Sequence, residues 1–526
     1  MTTAAAETVN SGRVKPSISI QVLKVICDYC EETSVHGLGQ VIRNTNTTAK
    51  ILWLIFFFVA VISNIYHCSI LIEMYLDYPM QEVTRTEHSS ISFPDVTICN
   101  LDAVSGSNYE RMLQNKSSRL SRYLAKTRKM RDIGVVTDEE FDEISAIIML
   151  RVNIGEEETK AIGHQIEDLV LRCTFRGKSC PIRNYFKWTS NPFLYNCYTF
   201  EPGLMGDNFV AIGPANGLSL ILYLEADEGV NVNIKYNKRM KSGNALGLKV
   251  MLHPRHSYPN ANVVGMDMMP GHSTSIAFSV TRSKKLPLPH GDCIYNESLS
   301  GIVGYKYSTA LCLDLCLDRH GVDKCTCKNV EYSNSDDKQD IYCGTLSNDT
   351  DLQKVYHIHK KEATCKRNIW DVFSGSQAMR DRCGCKPRCN QDLYTYKITE
   401  SRWPAAKYYE SFVDKELRPH EEHTKLKRLI QLWDDMGITG DKETRYKSVG
   451  ETFARVNVYL PDQESLLREQ QAAYPMSKLF SDIGGSLGFW VGFSVLIMIE
   501  ILQLIVRICL ILCRTGEKKR TSNYSS

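Results

Sequence analysis

The sequence predicts a membrane protein in which two transmembrane helices flank a large α+β, disulfide-rich domain. Three observations carry that expectation: an apolar stretch near each end, fourteen cysteines gathered between them, and a middle that mixes helical and alternating patterns. The chain has 526 residues, with 63 Lys+Arg against 60 Asp+Glu, a formal charge of +3. That balance offers no global cationic field, which excludes a nucleic-acid partner. Nineteen cysteines exceed ordinary cytosolic usage, and an odd total cannot pair completely within one chain.

The first apolar stretch, Ile51 to Leu76, opens ILWLIFFFVAVI and is interrupted at Ser63, Asn64, His67 and Glu73. At 1.5 Å per residue it reaches roughly 39 Å, enough to cross a hydrocarbon core of about 30 Å. The second, about Ile483 to Cys513, contains FWVGFSVLIMIEILQLIV and is also read as a span. Long polar sequence precedes the first span and no short apolar core with a small-residue cleavage site appears, so a signal peptide is not predicted. Arg43 and Lys50 stand before the first span; Arg514, Lys518, Lys519 and Arg520 follow the second. By the positive-inside rule both termini are cytoplasmic, in a multi-pass protein of the plasma membrane bilayer. The expected segments are a cytoplasmic N-terminus 1–50, a span 51–76, an extracellular domain 77–475, a pre-pore segment and second span 476–513, and a tail 514–526.

Five cysteines, Cys27, Cys30, Cys68, Cys509 and Cys513, fall in cytoplasmic or membrane segments. The other fourteen are Cys99, Cys173, Cys180, Cys197, Cys293, Cys312, Cys316, Cys325, Cys327, Cys343, Cys365, Cys383, Cys385 and Cys389. An even number in an oxidising compartment allows seven disulfides. Metal binding is the competing reading of Cys325-x-Cys327 and Cys383-x-Cys385-x-x-x-Cys389, and an extracellular location weighs against it; no metal or cofactor is expected. Sequons at Asn115, Asn296 and Asn348 suit extracellular glycosylation, whereas Asn46 and Asn523 fall on the cytoplasmic side and should be silent.

Within the domain, Asn108 to Ile133 reads as a basic amphipathic helix. Thr137-Asp-Glu-Glu140 is a capping box opening a second helix through about Leu150, and Ile166 to Cys173 reads as a third. Leu218–Leu224, Val230–Ile234, Leu248–Leu252, Ser275–Val280 and Arg455–Leu460 read as strands of a central sheet. Thr309 to Cys389 is a disulfide-stapled module with a helix near 354–372, and Tyr408 to Asp435 reads as a further amphipathic helix.

In order and spacing, His36-Gly37, Phe93-Pro-Asp-Val-Thr-Ile-Cys-Asn100, Cys173-Thr-Phe-Arg-Gly-Lys-Ser-Cys180, Cys197-Tyr-Thr-Phe200, Leu286-Pro-Leu-Pro-His-Gly-Asp-Cys293, Ser401-Arg-Trp-Pro404 and Ser481-Asp-Ile-Gly-Gly485 with Gly492-Phe-Ser494 resemble the degenerin/epithelial sodium channel family over nearly the whole chain. The resemblance implies a homotrimeric, sodium-selective, amiloride-blockable channel with palm, knuckle, finger, thumb and β-ball parts. The finger corresponds to about 101–172, the thumb to about 309–400, and Leu218–Leu252 to part of the palm and ball.

Gly492, Phe493 and Ser494 resemble the family's Gly-x-Ser filter. Glycine permits close approach and non-helical dihedrals, so backbone carbonyls can replace part of the hydration shell of a permeant Na⁺. A Gly488-x-x-x-Gly492 helix-packing site is the competing reading. Glu500, an ionisable group in an apolar run, would form a carboxylate ring around a three-fold axis or else an interhelical ion pair. Gln503 stands where acid-sensing relatives carry Asp. Ser481 matches the degenerin position, where a small side chain is needed for closure. Asp482 sits at the outer mouth, with Gly484, Gly485 and Gly488 beside it, and His36-Gly37 matches a cytoplasmic gating motif.

Tyr78-Pro79 stands where acid-sensing relatives carry a His pair, and His290 where they carry Trp, so the sequence favours a ligand other than the proton. The likeness is strongest to the invertebrate FMRFamide-gated, peptide-gated sodium channels, which implies an amidated neuropeptide ligand. Such a peptide needs carboxylates and an aromatic slot. Tyr109, Tyr123, Glu139, Glu140, Phe141, Asp142 and Glu143 are the candidates, each of which could equally belong to a solvated helix face. Proton-gated, constitutive and mechanically gated channels remain alternatives, as does a two-span disulfide-rich receptor or adhesion protein. No nucleophile elbow, zincin motif or phosphate loop points to an enzyme.

Overall fold

The computed structural model describes residues 18–33, 35, 37–88, 91–205, 211–226, 245–260, 265–295, 305–328, 342–420, 424–439, 446–447 and 449–522. His36, the expected strand at Val230–Ile234 and the sequon at Asn296 lie outside the described residues. The chain divides into two units, one formed by Met1–Gln81 with Gln471–Ser526 and the other by Glu82–Gln470.

The first unit is helical. Helix Thr47–Leu76 begins at Asn46, whose side chain accepts the Thr48 N–H. It is long and apolar enough to cross a membrane, as is Val495–Leu512. Phe56, Phe58, Ile62 and Ile65 stand exposed on it, as suits a surface solvated by lipid rather than water. The second apolar stretch is broken, as the non-helical dihedrals considered for Gly492 allow. It forms two helices, Met476–Val491 and Val495–Ser522. The first of these packs along Thr47–Leu76, burying Leu71, Tyr474 and Leu479 against Tyr75 and Ile483. An additional helix, Ile18–Glu32, was not expected; it packs on Val495–Ser522.

The second unit holds two sheets rather than one. The strands are β1 (Met80–His88), β2 (Asp95–Asn100), β3 (Val170–Phe175), β4 (Lys178–Ser179), β5 (Phe186–Asn191), β6 (Tyr195–Phe200), β7 (Leu218–Tyr223), β8 (Leu248–His253), β9 (Met266–Met268), β10 (His272–Lys284), β11 (Asn390–Arg402), β12 (Phe453–Tyr459) and β13 (Glu464–Ala472). The larger sheet runs β1-β13-β10-β12-β7-β3-β4, with β11 antiparallel along the whole of β10; the smaller runs β5-β6-β2-β8-β9. Period-two alternation sends Leu220, Phe278 and Val456 to meet Ile98 and Phe200 in a core shared by the two sheets.

The helical part is more broken than the sequence suggests. The expected helix over 108–133 is two, Gly106–Gln114 and Arg119–Asp132, because Ser118 caps the second by accepting the Ser121 N–H. Thr137 and Glu140 form the full capping box, but their helix stops at Ile144 and another runs Ile147–Ile154. The expected helix over 166–173 lasts only to Leu169, since Val170–Phe175 pairs with β7. The expected helix over 408–435 is likewise interrupted, and its last part is Thr424–Thr439.

Seven disulfides pair all fourteen cysteines of this unit. Cys99–Cys197 joins directly opposed residues of β2 and β6, and Cys173–Cys180 closes the β3–β4 turn. The remaining five are Cys293–Cys389, Cys312–Cys385, Cys316–Cys383, Cys325–Cys365 and Cys327–Cys343. Cys312 and Cys316, four apart on helix Thr309–Cys325, share one face and reach Cys385 and Cys383 in turn.

Candidate functional site

The break in the second apolar stretch is built by its glycine. Gly492 adopts φ 69° and ψ 22°, the left-handed conformation that ends a helix. Its N–H donates to Gly488 O at 3.1 Å and the Phe493 N–H donates to Leu487 O at 3.1 Å, closing the helix end. Helix resumes at Val495, and the Met498 N–H donates to Ser494 O at 3.3 Å. Residues 492–494 therefore form a short non-helical link inside an apolar segment. Within the single chain, a Cβ on Gly488 would make an ordinary contact, at 3.8 Å, with Phe493 O.

Upstream, Ser481, Gly484 and Gly485 lie on the exposed side of Met476–Val491, and a Cβ added at Gly484 or Gly485 would meet nothing within 4 Å. The opposite side is fastened by polar contacts. Ser486 Oγ donates to Asn64 Oδ1 at 2.9 Å, and His67 Nδ1 lies 3.0 Å from Ser486 Oγ. Tyr474 Oη donates to Asp482 Oδ2 at 2.7 Å, and burial together with that carboxylate pushes the phenol up to about 12. The proton thus stays on Tyr474 through the neutral range, and the bond is present there.

Downstream, Glu500 Oε2 accepts from Thr33 Oγ1 at 3.1 Å. Thr33 is buried just past helix Ile18–Glu32. Gly37, with φ 85°, turns the chain into Leu38–Arg43. Neither Thr33 nor Tyr474 was among the residues expected at the site. Pro16-Ser17 before Ile18, Val22, Val25, Ile26 and Tyr29 was the available signal for the N-terminal helix.

The residues considered for a peptide ligand separate into two groups. Tyr109 and Tyr123 are core residues, and Tyr123 Oη donates to Ile144 O. They hold helices together and offer no open aromatic slot. Glu140 completes the capping box and pairs with Lys360 at 2.8 Å, and the Lys360 and Tyr356 hydrogen bonds hold its carboxyl down to about 2. Glu143 pairs with Arg367. Glu139 is exposed, Asp142 is half-buried, and the half-buried Phe141 ring carries the Arg131 guanidinium at 4.7 Å.

Among the described residues, one group has the donor set of a metal site: Asp95, Glu201 and His256, with ligand atoms within 4.8 Å of one another. Asp95 already accepts the His256 N–H at 2.8 Å. Burial, with Glu201 adding to it, pushes the Asp95 carboxyl up to about 6.

A family model described as "Amiloride-sensitive sodium channel" matches residues 29–504. The chain is 26% identical to the FMRFamide-activated amiloride-sensitive sodium channel of Cornu aspersum, over 92% of this chain and 83% of that one. It is 24% identical to acid-sensing ion channel 1A of Danio rerio, over 93% and 90% respectively. To the epithelial sodium channel subunit gamma of Rattus norvegicus it is 23% identical, over 90% and 80%.

Proposed function

The chain belongs to the amiloride-sensitive sodium channel family, and on that premise we propose that it is a sodium-selective, amiloride-blocked channel of the plasma membrane, opened by an FMRFamide-type neuropeptide. The observation that carries the channel reading is the non-helical link at Gly492, Phe493 and Ser494 within an apolar stretch. Backbone without helical hydrogen bonds is tolerated at membrane depth only where it meets protein or water. In a homotrimer three such links surround one axis, and their carbonyls replace part of the hydration shell of Na⁺. Glu500, farther along, adds a ring of carboxylates that concentrates cations. Ser481, Gly484 and Gly485 give the three chains a low-profile face at the outer mouth, while the bond from Ser486 to Asn64 holds each helix against its own first span and the bond from Tyr474 to Asp482 ties that helix to the residues leading into it. The Thr33–Glu500 bond supports a gating role for the adjoining His36-Gly37 segment, on the cytoplasmic side with both termini.

In this reading the helices from Gly106 to Ile162 form the finger, and the module over about 309–400, with four disulfides inside it, forms the thumb. The peptide ligand rests on the similarity to the FMRFamide-activated channel. Glu139, Asp142 and Phe141 are the finger residues that offer it charge and ring contact; Tyr109 and Tyr123 act behind them as supports.

Expression in oocytes with superfusion of FMRFamide, then acid, then amiloride tests both levels. The expected result is a peptide-evoked inward sodium current that amiloride blocks. A sodium current evoked by a step to about pH 6 but untouched by micromolar peptide overturns the ligand assignment. Surface-expressed protein with no amiloride-sensitive current under any of these conditions, nor after Ser481→Phe, which removes the small side chain needed for closure, overturns the channel reading.

A further inference from the structure

A cleft of about 440 Å³ lies on the face of the larger sheet turned away from the core shared with β2 and β6. Its floor follows from strand register. Ile221 of β7 is paired with Arg172 of β3 on one side and with Arg455 of β12 on the other. The three side chains therefore share one face in a single row, and adjacent strands lie about 4.8 Å apart. Two residues along, the row is Thr174, Ser219 and Asn457. Two guanidinium groups thus flank one isoleucine with hydroxyls beside them, while the alternate residues Cys173, Leu220 and Val456 fill the core. The walls come from Trp403, Tyr408 and Glu416.

The charges in this cleft do not balance. Arg172 is neutralised by Glu416, which it contacts directly. Arg455 makes no ion pair among the described residues, and its buried Nε–H meets no acceptor. A guanidinium that has lost part of its hydration without gaining an anion is an unfavourable arrangement that a bound carboxylate relieves, and guanidinium and carboxylate match in geometry. The remaining surface is flat and apolar: Ile221 as floor, with the Trp403 and Tyr408 rings as walls. The volume falls in the small-molecule range of about 300–1,000 Å³.

We propose that this cleft is a binding site for a small organic monoanion, a carboxylate carried on a flat apolar body, with Arg455 as its counter-ion and the Trp403–Ile221–Tyr408 surface as the seat for the body. None of the residues that line the cleft is among those considered for channel opening or conduction, and the site does not depend on which stimulus opens the channel.

The test uses the purified full-length protein in detergent, with 2-naphthoate as the probe and neutral 2-naphthamide as its uncharged counterpart, both followed by calorimetric titration. Saturable binding of naphthoate is expected, weakened at least tenfold for the amide and at least tenfold by Arg455→Gln, with Arg455→Lys intermediate. Ser219→Asp leaves Arg455 in place and sets a competing carboxylate on β7, the strand paired directly with the Arg455 strand β12, so it should also abolish naphthoate binding; it keeps the proposal testable if Arg455→Gln fails to fold. Absence of naphthoate binding, equal binding of acid and amide, or unaltered affinity in Ser219→Asp overturns the proposal. So does a structure of the assembled protein in which a neighbouring subunit's own carboxylate occupies Arg455.

Discussion

Gly492 has φ 69°, a value at which an L side chain costs roughly 1–2 kcal/mol. Gly492→Ala pushes the link toward continuous helix and withdraws the Gly492 and Phe493 carbonyls into helical hydrogen bonding of the kind Ser494 O already makes with the Met498 N–H. The expected outcome is normal surface expression with sodium current reduced at least tenfold or with a shifted reversal potential. Wild-type current and selectivity in this variant would show that the break has no part in conduction. Asp95 presents a different residue-level case, because its environment favours the protonated form. The folded state keeps the proton up to about pH 6 while the ordinary carboxyl value is 3.8. Between those values the folded state binds more protons than the unfolded chain, so stability falls as pH rises through that window and is level above it. A shift of this size corresponds to at most about 3 kcal/mol. Asp95→Asn should flatten the dependence, measured by thermal melts between about pH 4 and 7; an unchanged slope would assign it to another group.

At the scale of elements, the disulfides differ in what they close. Cys325–Cys365 spans 40 residues and ties helix Thr309–Cys325 to helix Leu352–Gly375, whereas Cys173–Cys180 spans 7 and closes one turn. Loop-closure entropy gives about 4 kcal/mol for the first and about 2 kcal/mol for the second. Replacing Cys325 and Cys365 by Ser should therefore lower the melting temperature more than the same change at Cys173 and Cys180, and the reverse order in paired thermal melts would contradict this account. Which elements were legible in advance follows similar physics. The capping box at Thr137–Glu140 and the glycine-led link at 492–494 announce themselves locally, since cap chemistry and glycine dihedrals act over a few residues. The split between Gln114 and Arg119 was hidden because Leu113, Leu120 and Leu124 keep helical spacing across it, while Ser118 takes the cap. Val170–Phe175 reads as a continuation of the helix at Ile166; pairing with β7, 43–52 residues later, overrides that preference. Fourteen cysteines allow far too many pairings for spacing to select one. The bonds from Thr33 to Glu500 and from Ser486 to Asn64 join residues more than 400 apart, a separation that no local pattern encodes.

At the scale of the whole molecule, the orientation of the chain decides which end of the candidate pore meets which solution. Asn115 and Asn348 are exposed in the same unit, Glu82–Gln470. Asn46 caps the N-terminal end of helix Thr47–Leu76, about 45 Å long at 1.5 Å per residue, and the Glu82–Gln470 unit follows the C-terminal end of that helix in the sequence. If the Glu82–Gln470 unit is outside, Asn115 and Asn348 enter the glycosylating compartment and Asn46 does not. Endoglycosidase treatment of the full chain from cell membranes should then produce a mobility shift that Asn115→Gln and Asn348→Gln each reduce by one step and Asn46→Gln leaves intact. Modification at Asn46 with none at Asn115 or Asn348 would invert the molecule. Glu500 and Thr33 would then face the exterior, the cationic tail would lie outside, and the Glu82–Gln470 unit would sit in a reducing compartment where its seven disulfides would not persist. The cysteine pairing and the glycosylation pattern are thus two readouts of one orientation, and they must agree.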